Sequence, residues 1–425
     1  MMIRTAKFLF FALLLTHCAD DQPYLEGHIR RAADAIMTPC DPYNRGDHHT
    51  CVIYTSAFKE KVLIFDATAK EMVLSPMGYF PLSVKVGPSS NDLASVKSTN
   101  QRFPYFLALD HSLPALFVVR TFPSADKKHL SFTPPIKHKL DKKPYKIAAF
   151  DNDKVVIVIL SYPNDSSIEV LSLDRENGGL ISSGKNIKIA QKPSHIEINS
   201  ELNKAIISDE GSDEIFALDL STMDKVIAGA EANFSSINIG MKSDRIFLST
   251  RDFGAGEKSY LVALNASADE IKLVNLTDKK AECNFGLSEH PMAVYFPDKQ
   301  SEPCCGGNKN WLAVASIKGN LMHVGIENMG TTLSLKELGT SVDLTSTRNM
   351  SLNQLHVRKM VGGPVLFDNS LKREAECPNN RKMFFVSSFA SDRLNPLTLQ
   401  SHEVEAQGQG CEGEGSAARL GYKRE

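Results

Sequence analysis

Short apolar runs alternate with polar residues along most of this chain, and turn residues bound each run. Between Gly178 and Ile227 three such runs follow one another, at 195–198, 205–208 and 215–220. Asn199-Ser200 and Gly211-Ser212-Asp213 separate them. A period of two over runs this short predicts half-buried β-strands, not a helix.

The same unit recurs: an apolar strand, a polar loop, a second strand ending in Asp or Asn, then a turn. It is clearest over residues 51–73, 154–181, 204–227 and 245–274. Asp66, Asp174, Asp219 and Asn265 take equivalent places, where an Asx side chain accepts hydrogen bonds from the backbone of the following turn. Weaker copies begin at Pro114, Trp311 and Lys382. A second signature sets a proline three residues before a β-branched residue: Pro81 and Val84, Pro144 and Ile147, Pro193 and Ile196, Pro291 and Val294. Residues 234–237 repeat that spacing without the proline. Proline suits the first position of a strand, where the ladder does not yet need its amide proton. Successive hairpins lie about 40 to 70 residues apart, the spacing of blades in a ring of sheets. The fold class expected is therefore all-β: a β-propeller of seven blades, each with four antiparallel strands, over residues 51–400. Insertions at 87–102, 278–289, 298–309 and 339–373 carry the extra length.

Flanking segments differ in pattern. Apolar residues at Ile29, Ala32, Ala33 and Ile36 predict a short helix over residues 26–37, within a tether at 18–50. The Gly- and Glu-rich stretch 401–425 is expected to be a disordered tail.

Residues 192–227 resemble the repeats of YVTN-type and lactonase-like seven-bladed β-propellers. The likeness rests on Pro193, Ile196, Ala205-Ile206-Ile207-Ser208 and Ile215-Phe216-Ala217-Leu218-Asp219, with Leu171-Ser172-Leu173-Asp174 matching a strand-and-turn element. It is good over residues 145–275 and looser over 51–144 and 290–400. It implies the fold and leaves function open, because propellers host hydrolases, oxidoreductases and scaffolds alike.

The N-terminus changes the picture. Arg4 and Lys7 precede an apolar run at 8–15 that is too short for a bilayer span and fits a secretory signal at residues 1–17. Leu15-Thr16-His17-Cys18 resembles a bacterial lipobox, in which the cysteine is lipidated; His17 departs from the small residue usual there. Cys18 is the lipidation candidate, and Ala19 after it leans towards the outer membrane. Simple cleavage to a soluble periplasmic protein is the alternative. Acyl chains hold a protein on a membrane at ~0.8 kcal/mol per buried methylene. The chain has 8 cysteines, which suits an oxidising compartment. Local pairs would be Cys40 with Cys51, Cys283 with Cys304 or Cys305, and Cys377 with Cys411, leaving an odd thiol.

Composition adds little. With 42% hydrophobic residues the chain can bury a large core, and a net charge of −2 gives no electrostatic case for nucleic acid. No cofactor or metal motif stands out. His48-His49 between Cys40 and Cys51 lack zinc-site spacing. Cys304-Cys305-Gly306-Gly307 is neither a CxxC nor a haem motif. Asp151-Asn152-Asp153 and the acidic turn at 209–214 lack calcium-loop order and read as solvated turns. Asp110-His111-Ser112 reads as a hairpin turn, since adjacency does not make a catalytic triad. His195 lies on a strand of the best-defined blade and either faces the channel or is simply half-buried.

Two functions follow as expectations. One is a lipid-anchored, monomeric envelope protein whose propeller binds another envelope protein or ligand without catalysis. The other is a periplasmic lactonase-like hydrolase, which would need convergent acidic or histidine side chains at one channel mouth. An apolar channel would argue against it.

Overall fold

The computed structural model describes residues 32–39, 50–56, 60–66, 71–74, 82–87, 90–98, 105–123, 130–151, 155–254, 256–287, 290–296, 311–316, 320–330, 332–343, 357–366, 380–388, 393–401 and 420–424. These residues fold almost wholly as antiparallel strands. The first sheet holds β1 (Ala32–Pro39), β2 (Thr50–Ser56), β3 (Lys61–Asp66) and β4 (Glu71–Met72), with β5 (Ser83–Lys85) also paired to β3. A nine-stranded sheet follows. One half is β6 (Ser90–Ser98), β7 (Tyr105–Asp110), β8 (Ala115–Pro123), β9 (Leu130–Phe132) and β10 (Ile136–Lys139). The other is β11 (Lys146–Asp151), β12 (Val156–Tyr162), β13 (Ser167–Leu173) and β14 (Leu180–Lys188).

Four four-stranded sheets complete the chain. They are β15 (Pro193–Asn199), β16 (Lys204–Asp209), β17 (Glu214–Asp219) and β18 (Phe234–Asn238); β19 (Arg245–Asp252), β20 (Glu257–Asn265), β21 (Glu270–Asn275) and β22 (Lys280–Gly286). Then come β23 (Pro291–Tyr295), β24 (Trp311–Ser316), β25 (Asn320–Asn328) and β26 (Leu333–Asp343); and β27 (Val357–Leu366), β28 (Asn380–Ser388), β29 (Arg393–Ser401) and β30 (Leu420–Arg424). Among the described residues one short α-helix, α1 (Met223–Ile227), lies between β17 and β18.

First strands touch in succession: β1 with β6, β6 with β11, β11 with β15, β15 with β19, β19 with β23, β23 with β27, and β27 with β1. The ring therefore closes through its inner strands, and each sheet radiates outward as a meander. β6 and β11 approach closely enough to pair in parallel, Ala149 opposite Val96. Buried Asp92 reinforces that seam by accepting from Lys146 Nζ at 2.7 Å and Ile147 N at 2.9 Å.

The core lies between neighbouring sheets, and alternation along a middle strand sends successive residues to opposite sides. Ile157 and Ile159 of β12 pack with Ile196, Ile207 and Phe216. Val156, Val158 and Leu160 pack with Leu107, Leu116 and Val118. Ile206 likewise faces Leu261 and Ile246, whereas Ala205 and Ile207 face the preceding sheet. These middle strands are thus buried on both faces, not half-buried as the alternation alone suggests: β12 is buried along its whole length. The period of two survives because each face meets a different neighbour.

Two flanking expectations are corrected. Residues 32–37, expected to end a helix in the tether, instead belong to β1, whose partner β2 pairs Thr38 with Cys51. The helical spacing of small alanines was overridden by the open edge of β2. The last residues are not all tail: β30 pairs with β29, Tyr422 opposite Leu399. Other parts of the segments 1–17, 18–50 and 401–425 lie outside the described residues.

Candidate functional site

Turns after second strands and links between sheets gather on one face of the ring, and a cleft of about 760 Å³ opens there. Its walls come from three consecutive units: the β7–β8 turn with His111, the link into β11 with Lys142, Lys143 and Tyr145, the β12–β13 turn with Asp165, and Lys192 and Glu210 before and after the next hairpin strands.

Buried carboxylates set these loops. Asp209, at the end of β16, is fully buried. It accepts from Lys192 N at 2.6 Å, Gln191 N at 3.1 Å, Gly211 N at 2.9 Å and Ser212 Oγ at 2.6 Å. One side chain thereby fixes a turn and the link from the preceding sheet. Asp110 does a smaller version of this, its Oδ1 accepting from Ser112 N at 2.8 Å and Leu113 N at 3.1 Å. Asp110-His111-Ser112 is accordingly a turn that places His111 in the cleft wall, with its ring 6.4 Å from that of Tyr145. The acidic stretch at 209–214 is a turn as expected, but its first residue is buried and not solvated.

Charge in the cleft is mixed. Lys142 pairs with Asp165 at 2.6 Å. That hydrogen bond raises the lysine above its ordinary pKa and lowers the aspartate below its own. Lys192 pairs with Glu210, which raises the lysine in the same way. Lys142 Nζ also lies 6.0 Å over the ring of Tyr162, whose hydroxyl donates to Glu169 at 2.6 Å. Burial first, then Glu169, pushes that phenol upward. Lys143 is exposed on the same rim.

The inner ring differs. A cavity of about 70 Å³ lies between β1, β6, β11 and β15, with Ile36, Leu93, Ile147, Ile196 and Ile198 in its wall and Glu197 its charged residue among the described ones. His195 of β15 is half-buried beside Phe247, ring centroids 5.9 Å apart. Among the described residues no group of three or more His, Cys, Asp or Glu is placed to hold a metal ion.

The cysteines divide. Cys51 is fully buried on β2. Cys283, expected to pair with Cys304 or Cys305, is instead a free thiol on β22. Its strand turns it against the core beside Phe285 and not into the loop, and burial pushes its pKa up to about 11. Cys18, Cys40, Cys304, Cys305, Cys377, Cys411 and His48-His49 lie outside the described residues.

Asp244, in the link before β19, has a buried Oδ1 with no hydrogen-bond partner among the described residues. Burial raises its pKa, with Arg245 opposing. The folded state therefore binds the proton more tightly than the unfolded chain, and stability falls as pH rises through that range. Asp244→Asn is expected to stabilise by about 1 kcal/mol at neutral pH. The gain should vanish once pH drops below the ordinary aspartate range; urea unfolding at both pH values checks this.

Comparison with solved structures fits this geometry. Hsv2 from Kluyveromyces marxianus is 11% identical with a TM-score of 0.52, covering 93% of this chain and 97% of that one. The chain is a β-propeller. Sqt1 from Chaetomium thermophilum is also similar, 11% identical at TM-score 0.51, covering 89% of this chain and 83% of its own. Hydrazine synthase from Kuenenia stuttgartiensis is 10% identical at TM-score 0.50, covering 88% and 97%. No family model and no curated protein matches the chain. At such identities the propeller is shared and nothing finer follows.

Proposed function

We propose that the chain is a bacterial envelope lipoprotein, anchored through Cys18 in the outer membrane, whose propeller binds another envelope protein or ligand without catalysing a reaction. The blade count in this reading is seven, one for each first strand of the ring. The observation that carries the binding reading is the contrast between two spaces: an open cleft of about 760 Å³ on the loop face and a cavity of about 70 Å³ walled mainly by aliphatic side chains at the inner ring. A lactonase-like hydrolase would do its chemistry at the channel, where convergent acids and histidines are needed; this apolar wall favours binding. The fold itself is neutral, since the structural neighbours include a protein named as a synthase.

The anchor rests on the lipobox resemblance around Cys18. Pairing of Cys51 with Cys40 belongs to the same reading: Thr38 faces Cys51 across the ladder, and Cys40 directly follows β1. Oxidation of that pair fits export.

Cys18→Ala is expected to move the protein from the membrane to the soluble fraction and to remove the mass of the acyl chains. Unchanged fractionation and mass would reject the anchor. Crosslinking and affinity capture of the native protein from membranes tests the binding role: a stoichiometric partner supports it, and none speaks for a free enzyme.

A further inference from the structure

The loop-face cleft is built more deliberately than a gap between turns requires. Asp209 binds four donors from two loops, Asp110 holds the turn that carries His111, and Asp92 ties the start of β11, directly after Tyr145, to the neighbouring inner strand. Rigid loops lower the ordering cost of binding. The lysines in the walls differ in state. Lys142 and Lys192 are tied to Asp165 and Glu210, but these are solvent-exposed pairs with half of each lysine side chain open. Water screens such pairs, so a competing carboxylate can displace them at little cost. Lys143, exposed in the same wall, has no ion-pair partner among the described residues. Tyr145 stands next to it, 43% exposed, offering an aromatic face with a polar tip. The volume suits several residues of an extended segment and falls within the range of ligand pockets, ~300–1,000 Å³.

We propose that this cleft receives an acidic, partly apolar peptide segment of a partner protein, its carboxylates meeting Lys143, Lys142 and Lys192 and an apolar side chain resting on Tyr145. This site rests on the binding reading above and names its ligand class. Recognition is electrostatic at the rim and apolar at the floor, which favours fast, salt-sensitive association. A basic segment is disfavoured, because the three lysines of the cleft outnumber its two acids, Asp165 and Glu210.

Panning random twelve-residue peptides on the purified full-length protein tests the site. Enrichment of sequences rich in Asp and Glu with interspersed apolar residues is expected. Their affinity should fall at least tenfold in Lys143→Glu and in Tyr145→Ala, and should weaken as salt rises. Both positions are exposed, so circular dichroism of each variant should match the parent. Acidic peptides that bind the variants equally well would overturn the site while leaving the binding role intact. Enrichment of neutral or basic peptides would do the same. If no peptide is enriched and crosslinking also finds no partner, the binding role itself fails. Anionic vesicles binding in a Lys143-dependent manner, with no peptide enriched, would assign the cleft to a membrane surface and overturn the proposal.

Discussion

Asp209→Ala is expected to lower the unfolding free energy by about 3 kcal/mol or more, read from urea denaturation followed by circular dichroism. The reason is the asymmetry of buried hydrogen bonds. An alanine there leaves Gln191 N, Lys192 N, Gly211 N and the Ser212 hydroxyl without their acceptor at once. Each unmet donor in a part-buried site costs about 1–3 kcal/mol, although relaxation of the loops recovers some of it. Asp209→Asn keeps one acceptor oxygen and should lie between. Asp213→Ala, an exposed acid in the same turn, should change stability by less than about 0.5 kcal/mol. If Asp209→Ala behaved like Asp213→Ala, the carboxylate would not be what holds the two loops. The same variant should also blunt peptide binding, since Lys192 is placed by its own amide on Asp209.

That aspartate shows where sequence reading reaches and where it stops. Period-two runs marked the strands: β15, β16 and β17 lie where residues 195–198, 205–208 and 215–220 alternate. Three of the four Asx positions behaved as the turn chemistry requires. Asp174 accepts from Glu176 N, Asp219 from Ser221 N, and Asn265 from Ala268 N. Yet the pattern places the hairpin at 245–274 one strand out of step. Asn265 ends a second strand, whereas Asp66, Asp174 and Asp219 stand at the ends of third strands. The counterpart there is Asn275, which is buried and accepts from Asp278 N. Antiparallel hairpins look alike whichever two strands of a meander they join, so local pattern fixes strand identity but not its place in the sheet.

Three of the four prolines carried better positional information, the exception being Pro81, whose Val84 lies on the outer strand β5. Pro193 and Pro291 open the inner strands β15 and β23, and Pro144 precedes β11. The proline-free copy at 234–237 sits instead on the outermost strand β18. Asp209 was legible only as one acid of a polar turn, because its four donors come from residues up to eighteen positions away. The cleft was invisible for a related reason: its lysines and Tyr145 come from two separate links between strands, each unremarkable alone. Strand β30 was hidden by composition, since a Gly- and Glu-rich approach does not prevent its last residues from pairing with β29.

Trp311→Ala is expected to cost about 3–5 kcal/mol. Trp311 is 1% exposed, opens β24 opposite Gly325, and its ring centroid lies 6.0 Å from that of Tyr295. Truncation would leave a void on the face of the sheet, and the hydrogen-bonded β24–β25 ladder cannot bend in to fill it. Trp311→Phe, which fills much of the space, should cost far less. As the sole tryptophan of the chain, it is also a local probe of its own sheet. Because inner strands touch all the way round from β1 to β27 and back to β1, loosening one sheet opens the ring for all. Tryptophan emission in the parent should therefore shift to the red at the same urea concentration at which circular dichroism is lost. In Trp311→Ala the circular dichroism transition should move as one step to lower urea. Two separated steps would mean that the sheets melt in turn, as stacked repeats do, and that contact between β1 and β27 does not couple them.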